Sequence, residues 1–444
     1  MNLPNPRELW TLAKARRNGL AGQVVAAFAL KVVAAVLAFG LSLLVARIYG
    51  PAGVGIYAVA VTTITLVGNL SLLGQDFVML RSVAAELAQG QQAVARGVVA
   101  RSRQITLFTA AAAVLLLLLA WQPLAGIVGD DRLGPTLVAV LPGLLGLTMM
   151  RMASWALRAS GDVVRSQVLE GPATNLLALA LLGICVLAVP SLPEATLPVW
   201  VAAACYAVSM LLVALLGWGF WRQRVAGWPA PIPQAVRPLL LAGLPMTVSV
   251  LANFATDWAA TLSTSHFLGP EVTGQLRVAL QVTALFNLIN VAFDAMLGPQ
   301  IAAAWRLEDR ARVERICGLS TLGMVGMALP LFLAVMLAPE WILGLFGAEF
   351  RDGAPMLRIL AVGQLIALAG GPVGTILIMS GHDRWLMISS LSSLAVLALL
   401  CLVAVPMLGP VGGAVAVAGT MLYRRVIAAL VVRFALGLKL LRLR

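Results

Sequence analysis

Leu43–Ala60 reads LLVARIYGPAGVGIYAVA. An apolar helix runs to Arg47, breaks at Gly50-Pro51, and a second apolar helix restarts after Gly53 and Gly55. Proline lacks the N–H needed to continue a helix and glycine takes the open turn geometries, so this is a short hairpin between two helices. From Gly50 to Gly269 is 219 residues, and there the chain repeats the pattern. Ser265-His266-Phe267-Leu268-Gly269-Pro270 is followed by Gly274-Gln275-Leu276-Arg277-Val278-Ala279, so that Gly55 matches Gly274 and Val59-Ala60 matches Val278-Ala279. At nearly the same offset Ser160-Gly161 returns as Ser380-Gly381, and Ile127-Val128-Gly129 as Leu345-Phe346-Gly347. Matches in order at half the chain length mark an internal duplication.

With 61% hydrophobic and 11% charged residues, the chain is not a soluble globular protein. Apolar runs long enough to span a bilayer recur at 20–46, 55–75, 104–122, 134–157, 170–190, 197–220, 239–266, 277–298, 316–338, 355–379, 386–405 and 411–435. The expected fold is an all-α polytopic membrane protein of about 12 transmembrane helices, divided by the repeat into two six-helix lobes. Six is even, so both halves enter the membrane in the same sense, as parallel pseudo-repeats about an axis along the membrane normal. The expected organisation is a cytoplasmic amphipathic segment at 1–19, an N-lobe at 20–222, a Pro-rich linker at 223–238, a C-lobe at 239–435 and a basic tail at 436–444. No cleavable signal is expected, because a basic segment precedes the first span without a small-residue cleavage pattern.

Orientation follows from the basic residues of the loops. Arg7, Lys14, Arg16 and Arg17, then Arg81, Arg96, Arg101 and Arg103, then a series from Arg158 to Arg384, and Arg424, Arg425, Arg433, Lys439, Arg442 and Arg444 fall on one side. The other side holds Arg47, Arg132, Arg351 and Arg358. Both termini are therefore expected to be cytoplasmic. The net charge of +13 reflects this asymmetry, not nucleic-acid binding. Cys185, Cys205, Cys317 and Cys401 sit singly in apolar helices, and His266 and His382 stand alone, so neither a metal nor a cofactor is expected. No nucleotide-binding G-x-x-x-x-G-K-[ST] loop exists, and the extracytoplasmic loops carry few groups for catalysis; Asp130-Asp131 reads as a solvated turn. An enzyme is disfavoured.

The charges inside the spans point instead to transport. Lys31 lies within the first apolar run, either in a cavity or one turn deep and snorkelling. Thr62, Thr65, Asn69 and Asp76 share one face of the second helix, and Thr283, Asn287, Asn290 and Asp294 one face of the eighth. Such stripes either bond helices together or wall a cavity. Asn253 and Asp257 lie one turn apart on the seventh helix, Arg151 within the fourth, and Arg277 at the start of the eighth. Bases among these groups suit a phosphate or pyrophosphate cargo, since arginine grips two oxygens at once.

VARIYGP at Val45–Pro51 with Gly55-Ile56-Tyr57 resembles the first hairpin of the bacterial polysaccharide exporters. These are the O-antigen and capsule flippases of the multidrug/oligosaccharidyl-lipid/polysaccharide superfamily. Gly347-Ala348-Glu349-Phe350 before Ala354, and Ser380-Gly381, are similar to the same family. The resemblance implies two six-helix lobes in a V, of the multidrug-exporter type, around a cavity that opens alternately to each side. The implied cargo is a polyprenyl-diphosphate-linked oligosaccharide, carried from the cytoplasmic to the periplasmic leaflet of the bacterial inner membrane. It also implies a partner polysaccharide polymerase. On that reading Lys31, Arg47, Arg151 and Arg277 attract the diphosphate, with Arg47 alternatively a structural anchor. Thr62, Thr65, Asn69, Thr283, Asn287 and Asn290 would meet sugar hydroxyls, and Asp257 or Asp294 would couple carriage to H+ or Na+. The alternative is a cation-coupled drug or metabolite antiporter of the same fold, against which Lys31 stands where that branch commonly places an acid.

Overall fold

The computed structural model describes residues 20–188 and 197–438. The amphipathic segment at 1–19 and most of the basic tail lie outside them. Among the described residues the chain is helical with no strand. The helices are α1 Leu20–Ser71, α2 Gln75–Ala88, α3 Gln92–Val128, α4 Leu133–Ala159, α5 Val163–Val168, α6 Thr174–Ala188, α7 Val199–Arg224, α8 Val236–Arg306, α9 Arg310–Leu337, α10 Pro339–Gly344, α11 Ala354–Ala369, α12 Val373–Met379, α13 Asp383–Leu408 and α14 Gly412–Ala435.

Nine stretches among the described residues are long and apolar enough to cross a bilayer, and three of these are double length: Ala26–Ser71, Phe254–Arg306 and Met387–Phe434. Each double stretch is broken by a glycine within it. Gly50 (φ 63°) and Gly269 (φ 85°) leave the helical region inside α1 and α8, and Gly409 (φ 59°) turns the chain between α13 and α14. Glycine adopts these angles without the Cβ clash that other residues suffer. The stretches thus make twelve crossings. Gly50 and Gly269, related by the duplication, place the two hairpin tips on one face of the molecule, here termed the hairpin face.

The tips pack against each other with near two-fold symmetry. A Cβ on Gly55 would stand 1.9 Å from the Pro270 carbonyl oxygen, and a Cβ on Gly274 1.9 Å from that of Pro51. A hydrophobic core bridges the lobes here: Leu41, Val45 and Val54 of α1 share it with Leu276 of α8 and with Phe346 and Phe350. Phe39 meets Phe346 edge-on at 5.0 Å between centroids, and His266 Nδ1 lies 2.6 Å from the Ile127 carbonyl oxygen. At the opposite face the first arm of α8 leans on the first lobe. Gln75 donates to the Leu239 carbonyl (3.1 Å) and accepts from Ser102 (2.9 Å). Gly74 and Gly243 meet so closely that a Cβ on either would lie 2.2 Å from backbone oxygen.

The Pro-rich segment before α8 is tied down along α3. Arg96 donates to the carbonyls of Trp228 and Pro229, Arg101 to that of Gln234, and Ile232 N–H to Ala93 O. The long stretch 76–103 is likewise helical almost throughout. One π-helical turn, Leu169–Ala173, joins α5 to α6. It brings Gly171 against Ala34 of α1, where Asn175 also donates to the Ala34 carbonyl (3.2 Å).

Candidate functional site

Most of the charges that the sequence singles out fall into two clusters, one in each lobe, and Arg158 and Glu170 form a further pair in the first lobe at 2.7 Å. In the first lobe Arg151 of α4 pairs with Asp76 at 3.3 Å and bonds the Asn69 side-chain carbonyl. Asp76 is buried, with its side chain 3% exposed, and Arg151 is half-buried at 20%. Asn69 also donates to Thr65 O, while the Thr62 and Thr65 hydroxyls donate to Ala58 O and Val61 O of their own helix. The polar stripe of the second crossing is therefore occupied by its own helix and by Arg151. Breaking a buried pair leaves an uncompensated charge, a loss of about 3–5 kcal/mol. Arg151→Ala is accordingly expected to lower the thermal midpoint of the detergent-solubilised protein by several degrees, with Arg151→Lys recovering part of it. An unchanged midpoint would remove Arg151 from the lobe's framework.

The second-lobe cluster lines space. A chamber of about 530 Å³ is walled by Thr256 and Asp257 of the first arm of α8, by Arg277, Thr283, Asn287 and Asn290 of its second arm, by Gln364 of α11 and by Arg424 and Arg425 of α14. Arg277 Nη1 donates to both Asp257 carboxylate oxygens, at 2.8 and 2.9 Å, with the two side chains 30% and 41% exposed. The Thr283 hydroxyl is spent on Ala279 O, whereas Asn287 is exposed and Asn290 half-buried. A second chamber of about 280 Å³ adjoins the first across the same arginines, lined by Asp294, Thr375 and Ser390. The Thr375 hydroxyl bonds the Asp294 carboxylate.

The sequence reading missed Arg424 and Arg425, which it grouped with the basic C-terminal end. They lie inside α14, between Gly412–Met421 and Val426–Val432, and face the chambers. The signal was present: an arginine pair interrupting an otherwise apolar span has to face water or a partner. The duplication does not extend to this chemistry. At the spacing that relates Gly50 to Gly269, Asp257 corresponds to Ala38 and Arg277 to Ala58, so only the second lobe carries the pair.

Two predicted ligands stand apart. Arg47 lies at the hairpin face, where its Nε donates to the Leu345 carbonyl of the other lobe at 2.9 Å. Lys31 is exposed among exposed Phe28, Val32 and Val33 and lines neither second-lobe chamber. The cysteines are not all solitary, since the Cys185 and Cys205 thiols meet at 3.8 Å across α6 and α7. Among the described residues no group of three metal-ligating side chains forms. On the loop, Asp130 accepts from the Arg132 guanidinium (2.8 and 3.1 Å) and backbone N–H (2.9 Å). The guanidinium bond holds the Asp130 carboxyl below its usual range.

Two six-crossing lobes, the second enclosing charged chambers, define a multi-pass membrane protein. Residues 21–305 match the polysaccharide biosynthesis protein family, and the chain belongs to that family. It is 26% identical to the lipopolysaccharide biosynthesis protein WzxC of Escherichia coli (strain K12) over 145 residues, which span 32% of this chain and 29% of that protein. Its fold resembles that of solved transporters of the MOP superfamily. An inward-facing multidrug resistance MATE transporter superposes with a TM-score of 0.77 at 16% identity, covering 91% of this chain and 94% of that one. The lipid II flippase MurJ in an inward closed conformation superposes with a TM-score of 0.72 at 10% identity, covering 92% and 87%.

Proposed function

We propose that the protein is a flippase for a polyprenyl-diphosphate-linked oligosaccharide, acting in cell-surface polysaccharide assembly at the bacterial inner membrane. The observation that carries this reading is the lining of the larger chamber: Arg277, Arg424 and Arg425 beside the amides of Asn287, Asn290 and Gln364. Guanidinium groups grip phosphate oxygens in bidentate fashion, and amides both donate to and accept from sugar hydroxyls. The prenyl chain stays in lipid, so only the anionic, hydroxylated headgroup needs protein. The arginine-poor hairpin face is periplasmic by the positive-inside rule, and carriage runs from the cytoplasmic leaflet toward it. The hairpin seam is the periplasmic closure, which Arg47 ties through Leu345. The Arg277–Asp257 pair meets the diphosphate, and Asp257, once displaced from Arg277, is the acid able to take up a cation.

Deleting the protein from its own bacterium is expected to strand complete lipid-linked oligosaccharide on the cytoplasmic leaflet, read by leaflet-resolved glycolipid analysis. A normal glycolipid profile would defeat the proposal. Complete oligosaccharide found in the periplasmic leaflet but unpolymerised would shift the role to a later step.

A further inference from the structure

The two second-lobe chambers differ in depth. At 1.5 Å per helical residue, Arg277 lies about 12 Å from Gly269 along α8, Asp257 about 18 Å on the preceding arm, and Asp294 about 37 Å. Arg424 lies about 22 Å from Gly409 along α14. With a hydrocarbon core of about 30 Å, the larger chamber runs from Arg277 in the hairpin half down to Asn290, about 32 Å along α8, and the Asp294 chamber lies beyond it at the opposite edge. Arg424 and Arg425 line both. The fixed charges therefore form a ladder along the transport axis, in which the arginine pair is the rung between two spaces.

From this placement we infer that the chamber of about 280 Å³ is a separate capture subsite for a lipid diphosphate, loaded before the headgroup reaches Arg277. The inference rests on the flippase reading and adds the order of binding. Two chemical features fit a transient stop. The chamber offers the Ser390 hydroxyl beside the two guanidinium groups, a donor set for phosphoryl oxygens, the Thr375 proton being taken by Asp294. It also contains the carboxylate of Asp294, bonded to Thr375, so two positive charges face one negative. A conduction site has to attract its cargo yet release it to the next site, and a modest net charge achieves both. Arg425 lines both chambers and makes one long bond, 3.4 Å, to the Gly371 carbonyl, so its guanidinium is placed to meet an anion in either space.

The test uses full-length protein in lipid nanodiscs, with the four native cysteines replaced and one reporter cysteine added. Ile378→Cys reports the small chamber, which Ile378 lines while 50% exposed, and Asn287→Cys reports the large one. Maleimide labelling is measured with geranylgeranyl diphosphate, with geranylgeraniol and with inorganic pyrophosphate. At about ten times its Kd the lipid diphosphate should slow labelling about tenfold at both reporters, while the alcohol does nothing. Adding Arg277→Gln should abolish protection at Asn287→Cys and spare it at Ile378→Cys. Replacing both Arg424 and Arg425 by Gln should abolish both, with elution volume confirming the fold. Protection at Ile378→Cys that disappears with Arg277→Gln means a single site and overturns the inference. Protection at Asn287→Cys alone overturns the subsite and leaves the flippase reading standing, whereas protection at neither reporter defeats both. Equal protection by inorganic pyrophosphate assigns the chamber to free phosphates and overturns the lipid step.

Discussion

Gly55→Ala is expected to abolish export and to leave the hairpin face open. The added Cβ would stand 1.9 Å from the Pro270 carbonyl oxygen and 2.7 Å from its carbon. Carbon atoms pack at about 3.5–4 Å, so the tips would have to separate by more than an ångström. The obstructing atoms are backbone, and no side-chain rotation relieves them. Gly274→Ala meets Pro51 in the same geometry and should behave alike. The separation would also pull Arg47 from Leu345 and unseat Phe39 from Phe346, so the seam fails as a unit. Reporter and assay are direct. Val278, 2% exposed, lines a small inter-lobe space with Val54 and Ala58 just beneath the tips. In a background lacking the native cysteines, Val278→Cys should resist a membrane-impermeant maleimide applied from the hairpin side. Adding Gly55→Ala should make it react. Continued protection with normal export would show that the tips need not close. Arg47→Ala removes one hydrogen bond of about 1 kcal/mol and should produce a milder form of the same change.

The crossings and the repeat were legible because their causes are local. Each span is a composition signal, and each hairpin tip needs a residue that tolerates positive φ beside a proline that stops the helix. Contacts between distant segments were not legible. Arg47 reads as a charge at a helix end, and nothing near it announces the Leu345 carbonyl, 298 residues away. The Thr62, Thr65 and Asn69 stripe reads like that of Thr283, Asn287 and Asn290. Their fates diverge because the first has Arg151 opposite and the second faces a chamber. Arg424 and Arg425 were overlooked for a different reason. Their proximity to the basic C-terminal residues outweighed the apolar sequence on both sides of them.

Among the side chains that line the larger chamber, Arg277 is the one whose removal is expected to cost the most transport. Its guanidinium already makes two bonds to Asp257, so under the proposed function a diphosphate would reach it by exchange, replacing one anionic partner with another. A charge-assisted contact is worth about 1.5–3 kcal/mol, equivalent to roughly 10- to 100-fold in rate if it forms in the step that moves the headgroup. Arg277→Ala should lower export by that factor, and Arg277→Lys by less, since it keeps the charge without the bidentate fork. Asp257→Asn separates competition from support. If Asp257 competes with the cargo, its neutralisation frees Arg277 and tightens binding of geranylgeranyl diphosphate, even as turnover falls because the cargo is released slowly. If Asp257 merely orients Arg277, the same substitution weakens binding and turnover together. Titrating the lipid diphosphate against Asp257→Asn, with transport measured on the same preparation, distinguishes the two. Tighter binding with slower transport is the expected result, because a guanidinium that serves two anions in turn holds either one better when the other is removed.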